Sequence, residues 1–286
     1  MKELLILSGK GGTGKTTTAA AFIAFAKARA FADCDVDAPN LHLVATFTEA
    51  PARTPYLGGQ KAQIGAALCA RCGACAAHCR FGAVQLTDAG FAVDPIACEG
   101  CGVCVAVCPA GAVRLFDDVA GEQALYREEA VFSTAKLKMG RGNSGKLVTE
   151  VKKALVAESE AALAIIDGSP GIGCPVIASV SGVDMALLVA EPSVSGLSDL
   201  ERIVQTCRGL GTKVAVCVNK ADVSPESTAA VARFCAEEAI PLLGTIPYDR
   251  AVPEAINAGQ SIAAVDTPAR DALRQIFDEC MALLYE

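Results

Sequence analysis

The 286-residue sequence contains no tryptophan, and only 5% of its residues are aromatic. It has just two histidines, His42 and His78, and neither belongs to a nucleophile, base and acid constellation. Histidine-based or covalent catalysis therefore has no support. Basic residues are also few, since 25 Lys and Arg stand against 32 Asp and Glu and give a net charge of -7. We expect no nucleic-acid partner, because a phosphate backbone demands clustered Lys and Arg.

Long apolar runs are absent as well. The first such run, Leu4–Leu7, has only four residues before a polar loop, which is too short for the apolar region of a signal peptide. No segment reaches the ~18 uninterrupted apolar residues of a membrane span. Fourteen cysteines without an export signal favour thiolate metal ligation in a reducing compartment over a disulfide framework. We therefore expect a cytoplasmic protein.

The segment Gly9–Thr16 matches the phosphate-binding pattern G-x4-G-K-[ST]. An apolar run precedes it and the alanine-rich stretch Thr17–Ala28 follows, which predicts a strand, a loop and a helix. We expect Lys15 to reach the β and γ phosphates of a nucleotide and the Thr16 hydroxyl to hold Mg²⁺. A chance glycine turn is the alternative, and the flanking strand and helix argue against it. The expected binding residues are Gly9, Gly11, Gly12, Thr13, Gly14, Lys15, Thr16 and Thr17.

Aspartates follow two of the predicted strands. Asp167 ends the apolar segment Leu163–Asp167, where a carboxylate can hold Mg²⁺ directly or through water. Asp33, Asp35 and Asp37 follow the second predicted strand, so we expect them beside the phosphate loop at the carboxyl edge of the sheet. A helix cap or turn is the alternative role for each aspartate, and we prefer it for Asp37.

Eight cysteines form two ladders of the same spacing, C-x2-C-x2-C-x3-C, offset by 29 residues, and internal duplication explains the repeat. Each ladder delivers three thiolates of a [4Fe-4S] cluster from one loop, and in two-cluster ferredoxins the last cysteine ligates the other cluster. Zinc is the competing metal, but this doubled spacing fits two tetrahedral sites poorly. The first cluster is expected on Cys69, Cys72, Cys75 and Cys108, and the second on Cys98, Cys101, Cys104 and Cys79.

Short apolar strands alternate with helical patterns on both sides of the cysteine segment. This alternation predicts an α/β fold of the P-loop NTPase kind, with a mainly parallel sheet covered by helices on both faces. We predict a discontinuous P-loop domain of residues 1–59 and 119–286 and a small inserted α+β ferredoxin-type domain of residues 60–118. The further predicted strands are Ala30–Asp33, Asp184–Ala190, Lys213–Val218 and Leu242–Ile246.

The loop Lys10-Gly11-Gly12-Thr13-Gly14-Lys15-Thr16, with its second lysine Lys10, resembles the signature of the MinD, Mrp and nitrogenase-iron-protein class of P-loop ATPases. Residues 33–41, 143–148 and 167–175 resemble motifs of its subfamily with an inserted two-cluster ferredoxin domain. This resemblance covers nearly the whole chain. It implies a Mg²⁺-dependent ATPase with a deviant Walker A loop, whose turnover is slow or stimulated by a partner.

The same resemblance assigns roles to individual residues. It implies a nucleotide-dependent homodimer in which Lys10 reaches the ATP of the partner. Asp35 corresponds to the aspartate that positions water, and Asp167 to the Mg²⁺ and switch aspartate. Asn219 resembles the residue that contacts the adenine base. Cys174 lies seven residues after Asp167, where the nitrogenase iron protein has a cluster-bridging cysteine, but the second cysteine that such a site needs is missing.

The remaining cysteines have simpler expected roles. Cys34 lies between acidic residues and receives no role. Four others occur on apolar helical faces or in an apolar strand, and we expect them to be small core residues. They are Cys207, Cys217, Cys235 and Cys280.

The combination of motifs leaves two functional hypotheses. The first is an ATPase that couples nucleotide state to electron transfer, or to delivery of iron-sulfur clusters, with an unidentified redox or metalloprotein partner. The alternative is a MinD-like positioning or assembly ATPase whose clusters are structural or redox-sensing. The acidic segment 268–286 predicts a docked helix and no stable membrane anchor, because anionic lipid would repel it. Amide synthesis of the cobyrinic-acid type lacks its glutamine-hydrolysing domain.

Overall fold

A computed structural model describes residues 1–286. The chain divides into two compact units, the first of residues 1–53, 123–136 and 144–286, and the second of residues 54–122 and 137–143. The second unit contains the predicted inserted domain, residues 60–118, together with segments on either side of it. No helix combines the length and the apolar character that crossing a membrane requires.

The elements are named in chain order. The strands are β1 (Lys2–Leu7), β2 (Ala30–Asp33), β3 (Ala52–Ile64), β4 (Val84–Thr87), β5 (Gly90–Val93), β6 (Val113–Arg127), β7 (Val131–Leu137), β8 (Leu163–Asp167), β9 (Met185–Ala190), β10 (Lys213–Asn219) and β11 (Leu242–Ile246). The helices are α1 (Lys15–Ala26), α2 (Ala74–Ala77), α3 (Val103–Ala106), α4 (Ser144–Glu158), α5 (Cys174–Val180), α6 (Val194–Gly209), α7 (Pro225–Glu237), α8 (Ala251–Asn257) and α9 (Pro268–Tyr285), with 3-10 turns at Leu41–Leu43 and Ile262–Ala264.

The first unit is built on strands that pair in the order β11-β10-β9-β1-β8-β2-β7. Every pairing among these seven strands is parallel. Side chains of β1 alternate between faces: Leu4 and Ile6 join a core with α1 and α9, whereas the equally buried Leu5 and Leu7 lie outside that cluster. The predicted α/β fold with a mainly parallel, helix-covered sheet is therefore confirmed.

The strand limits follow the sequence prediction closely, because buried parallel strands are continuous apolar runs. Strands β2, β8 and β11 have the predicted limits, and β9 and β10 each differ by one residue. Helix α1 ends earlier than predicted, at Ala26, because Lys27 is left-handed (φ 47°) and its amide bonds to the Ala24 carbonyl at 3.3 Å. This C-cap lets the chain enter β2 only three residues later.

Residues 52–60, which contain Pro, Gly and Thr, show no hydrophobic periodicity in the sequence. This segment begins β3, and the polar stretch after Val113 belongs to β6. Both strands carry many exposed residues and so lack an apolar pattern. Gly58 allows a close approach, since a Cβ at this position would lie 2.4 Å from the Ala120 Cβ. Backbone pairing and glycine packing therefore define these strands, and hydrophobic periodicity does not.

The second unit shows the duplication seen in the sequence. Helices α2 and α3 each begin after a left-handed glycine, Gly73 (φ 78°) and Gly102 (φ 77°). Strands β4 and β5 form an antiparallel hairpin. The buried core of the second unit is small and consists of Ala62, Cys75, Ala83, Val84, Cys98 and Val113.

The carboxyl-terminal helix α9 is docked on the sheet of the first unit. Its Phe277 ring meets the Phe22 ring of α1 edge-on at 5.1 Å. The apolar face of α9 lies in the same core as β1, with buried residues Leu273, Ile276, Phe277, Cys280 and Leu284. The docked-helix prediction is confirmed, as is the prediction that Cys207, Cys217, Cys235 and Cys280 are buried core residues.

Candidate functional site

The loop between β1 and α1 lines one side of a cavity of about 710 Å³. Gly12 (φ 79°) and Gly14 (φ 99°) are left-handed, a conformation that turns the backbone toward the cavity and favours glycine. A Cβ at Gly14 would also lie 2.2 Å from the Asn219 Nδ2 atom, so no side chain fits there. The cavity is lined by the predicted loop residues Lys10, Gly11, Gly12, Gly14, Lys15, Thr16 and Thr17.

Lys15 lies at the start of α1 and is 5% exposed. Its Nζ is 2.6 Å from Asp167 Oδ1 and 3.9 Å from Asp35 Oδ2. Burial alone would lower the pKa of Lys15, but the hydrogen bond to Asp167 and the charges of Asp167, Asp33 and Asp35 together outweigh burial, so the pKa is raised. Lys15 is therefore a fully charged cation held by carboxylates.

These carboxylates come together because β2 and β8 are neighbouring parallel strands that end at the same edge. Asp167 is completely buried, and its Oδ2 atom has no hydrogen-bond partner. Burial raises the pKa of Asp35, while Lys15 lowers it. The sequence prediction placed both aspartates beside the phosphate loop, and the structure brings both to Lys15. The Thr16 Oγ1 atom lies 3.3 Å from the same Lys15 Nζ. A buried carboxylate oxygen without a partner and a nearby hydroxyl fit a hard cation such as Mg²⁺.

Lys10 occupies a different environment from Lys15. Its Nζ forms an ion pair with Glu191 at 2.7 Å and lies 3.5 Å from the hydroxyls of Ser193 and Ser195. The hydrogen bond from Lys10 lowers the pKa of Glu191. Lys10 thus has a counter-ion within its own chain, and this chain's own Asp35 and Asp167 are not its partners.

Two predicted loop residues face away from the large cavity. Gly9 packs against Asp199 so closely that a Cβ atom added at Gly9 would lie 2.3 Å from the Asp199 Cβ. Thr13 is buried, and its Oγ1 atom has no hydrogen-bond partner. Both line a small cleft together with Glu191 and Asp199. Both residues therefore pack on the side of the loop that faces Glu191 and Asp199.

Asn219 lines a second cavity, of about 250 Å³, which shares Gly12, Gly14 and Thr17 with the first. The Asn219 Nδ2 group donates to the Thr13 carbonyl at 2.7 Å, and its Oδ1 atom accepts from the Lys220 amide at 2.9 Å. In this arrangement Asn219 holds the phosphate loop. Contact of Asn219 with a nucleotide base stays a prediction.

The ladder cysteines lie together in the second unit. One cleft is lined by Cys69, Cys72, Cys75 and Cys108, the set predicted for the first cluster. Two thiols accept backbone hydrogen bonds, Cys98 from the Ala62 amide at 3.4 Å and Cys108 from the Ala112 amide at 3.3 Å. Amides that point at sulfur are suited to thiolate ligands. No three potential ligands converge closely enough to hold a single metal ion.

The sequence placed Asp33 beside the phosphate loop, with a helix cap or turn as its alternative role, and it predicted no role for Glu191 or Ser169. Asp33 is buried and binds three backbone amides, and the Ser169 hydroxyl donates to the Cys34 carbonyl. Glu191 follows β9 in the segment Ala190-Glu191-Pro192. An acidic residue directly after a buried parallel strand is expected at the carboxyl edge of the sheet, where the site lies. The position of Glu191 in the sequence therefore could have predicted its place at the site. Cys174 is exposed at the start of α5.

Comparison with known proteins agrees with this geometry. A family model described as the CobQ/CobB/MinD/ParA nucleotide binding domain matches residues 4–262. The uncharacterized protein MJ0578 of Methanocaldococcus jannaschii is 30% identical over 292 residues, covering 97% of this chain and 95% of that protein. The cytosolic Fe-S cluster assembly factor Nubp1 homolog of Drosophila grimshawi is 32% identical over 109 residues, covering 34% of this chain and 35% of that protein.

A solved structure extends the comparison to three dimensions. The septum site-determining protein MinD of Pyrococcus horikoshii, complexed with Mg-ADP, has a TM-score of 0.59 and 18% identity, with 99% of this chain and 96% of that chain covered. At this identity the likeness concerns the fold alone. Since the family model covers most of the sequence, the chain belongs to the CobQ/CobB/MinD/ParA nucleotide-binding family.

Proposed function

We propose that this protein hydrolyses ATP, carries two [4Fe-4S] clusters, and couples its nucleotide state to electron transfer or to cluster delivery to a partner metalloprotein. The observation that carries the proposal is the buried Lys15, held by Asp35 and Asp167 at the wall of a large cavity. The second unit adds two cysteine turns on the same chain, each with a four-residue helix that begins after a left-handed glycine.

The residues around the large cavity divide the work of phosphoryl transfer among them. Lys15 would bind the β and γ phosphates, and the amides at the start of α1 would bind the same oxygens. The Thr16 hydroxyl and the free Oδ2 of Asp167 would hold Mg²⁺, which neutralises charge on the phosphates when bound. Asp35, whose side chain is 18% exposed, would orient the attacking water. The Mg-ADP complex of the related MinD supports a magnesium nucleotide.

A homodimer around ATP is part of the proposal. Lys10 is partly exposed at the cavity, with 36% of its side chain accessible. In the dimer it would leave Glu191 and bind the partner's ATP, where a cation stabilises charge on the transferred phosphate.

The cysteine ladders would hold the two clusters, which supply one-electron redox chemistry when bound. The cleft lined by all four cysteines of the first predicted set supports the crossed ligation, in which Cys108 completes the first site. The Nubp1 homolog is named as a cytosolic Fe-S cluster assembly factor, and it matches 34% of this chain. That name supports cluster delivery and a cytosolic location.

Coupling between nucleotide and clusters follows from the path of the chain. The loop after β2 carries Asp35, and the chain leaves the first unit after Arg53 to begin the second. A nucleotide-dependent change in this loop would therefore act on the segment that leads to the cysteines. The second candidate function, a positioning or assembly ATPase, draws support from the MinD fold.

Purification without oxygen tests the proposal. We expect about eight iron atoms per chain with matching sulfide, ATP turnover, and a midpoint potential that differs between ADP and a non-hydrolysable ATP analogue. The Lys15→Met variant should keep its iron and lose the nucleotide dependence. Colourless protein without sulfide would refute the cluster assignment, and equal potentials with both nucleotides would favour the positioning function.

A further inference from the structure

The loop of residues 34–41, between β2 and the turn Leu41–Leu43, carries Asp35 into the large cavity. It has no helix or strand of its own, so side chains must fix its shape. The carboxylate of Asp33 does this from beneath: Oδ1 accepts from the Asp35 amide at 3.0 Å, and Oδ2 accepts from the amides of Asn40 and Leu41, both at 2.9 Å. One carboxylate thus binds both ends of the loop.

Asp33 itself is rigidly placed. It is the last residue of β2, it is 0% exposed, and it pairs with Asp167 of β8 on one side and Thr134 of β7 on the other. Burial and repulsion by Asp167 raise the pKa of Asp33 to about 7, whereas the hydrogen bond from the Leu41 amide and the charge of Lys15 lower it. Burying a carboxylate is energetically unfavourable unless it is hydrogen-bonded, and the three hydrogen bonds from backbone amides compensate for the burial of Asp33.

Other contacts hold only part of the loop. The Cys34 amide donates to the Asp167 carbonyl at 2.7 Å, which fixes the first residue. The Ala38 amide bonds to the Asp35 carbonyl at 3.1 Å, which forms a turn inside the loop. Among these contacts, only those of Asp33 join the start of the loop at Asp35 to its end at Leu41.

We propose that Asp33 is a positioning residue for ATP hydrolysis, because its carboxylate fixes the loop that aims Asp35 at Lys15 and the cavity. This inference rests on the proposed function. The hydrogen bonds of the Asp33 carboxylate go to the amides of residues 35, 40 and 41 and not to the phosphate loop, so its task concerns the geometry of the reaction more than the binding of nucleotide.

The Asp33→Asn variant separates these tasks. An asparagine side chain has one acceptor oxygen, and its amide group donates, so it faces at least one backbone N–H with a donor. The loop then loses one end. At about pH 8, above the Asp33 pKa of about 7, Asp33 is ionised in the original protein. At that pH we expect kcat for ATP to fall about 10- to 100-fold while the KM for ATP and the Kd for ADP stay within about threefold of the original values. Amide hydrogen exchange of the peptide covering 34–41 should accelerate.

Asp184→Asn is the matched control. The Asp184 carboxylate also accepts a hydrogen bond from a backbone amide, that of Glu3 at 2.8 Å, and it forms an ion pair with Lys2. It differs from Asp33 in position, because it precedes β9 and so lies at the amino ends of the parallel strands, away from the cavity. This variant should keep kcat and the exchange rate of residues 34–41. Asp33→Glu, which keeps the carboxylate and shifts it by one methylene, should give an intermediate kcat, and it serves if Asp33→Asn does not fold.

The outcomes are distinct. An unchanged kcat, or unchanged exchange of residues 34–41, in a folded Asp33 variant overturns the inference and leaves the ATPase function standing. A parallel rise in KM and in the Kd for ADP also overturns it, because Asp33 would then support binding in general. If the original protein hydrolyses no ATP, the proposed function fails, and the exchange measurement alone decides whether Asp33 fixes the loop.

Discussion

Replacing Lys15 by methionine should destabilise the nucleotide-free protein strongly, although the loop it belongs to faces a cavity. The substitution keeps most of the side-chain volume and removes the charge that compensates the completely buried Asp167, 2.6 Å away. Removing one partner of a buried ion pair costs about 3–5 kcal/mol, because the other charge is left without compensation. Asp33 and Asp35 also lose a neighbouring cation, which adds to the cost.

The control is a second lysine–aspartate pair of similar length. Lys2 lies 2.9 Å from Asp184, but their side chains are 44% and 34% exposed. Water already solvates such a pair, so Lys2→Met should cost only about 0–1 kcal/mol. The contrast between the two lysines therefore isolates burial as the cause.

Thermal unfolding followed by circular dichroism measures both variants. For a chain of this size, the loss at Lys15 corresponds to a fall in Tm on the order of 10 °C. In an Asp167→Asn background the same substitution should cost much less, because the buried charge is already gone. The reasoning is refuted if Lys15→Met is as mild as Lys2→Met, or if the Asp167→Asn background leaves its cost unchanged.

Two further predictions concern pH and iron. The pKa of Asp33 is raised from 3.8 to about 7 in the folded protein. Between these two pH values the folded protein keeps a proton on Asp33 that the unfolded chain has lost. The free energy of unfolding of the original protein, relative to that of Asp33→Asn, should therefore fall as the pH rises through this range. Denaturant titrations across this range measure the difference, and a flat or rising difference contradicts it. Cys75→Ser should lower the iron content of anaerobically purified protein, whereas the buried Cys207→Ser should not, and equal iron in both would remove Cys75 as a ligand.

The sequence predicted the core of the site because the relevant residues follow a topological rule. Lys15 lies in the chain after β1, Asp35 lies after β2, and Asp167 is the last residue of β8, so neighbouring parallel strands bring all three to one edge. The strands themselves were readable because they are buried apolar runs. The same logic applies to Glu191 after β9, yet the sequence alone does not say that its partner is Lys10.

Other features depend on long-range geometry that no local pattern encodes. Asp33 binds Leu41 only because the loop turns back on itself, and its sequence neighbours do not reveal that path. Strands β3 and β6 are mostly exposed, so hydrophobic periodicity does not mark them. The cysteine ladders are the opposite case, because metal ligation imposes a spacing that survives in the sequence whatever the surrounding fold.

The phosphate loop is fastened by residues far along the chain. Lys10 bonds to Glu191, the Thr13 carbonyl accepts from Asn219, and the Gly12 carbonyl accepts from Lys220 at 3.2 Å. Glu191 and Lys220 lie directly after β9 and β10, and Asn219 is the last residue of β10. These partners are roughly two hundred positions away, and contacts of such separation form late in folding. A folding intermediate without β9 and β10 would present the loop motif intact but untethered. We therefore expect high nucleotide affinity only after β9 and β10 have joined the sheet. A fragment that contains the loop motif but lacks these strands should bind nucleotide more weakly than the full chain.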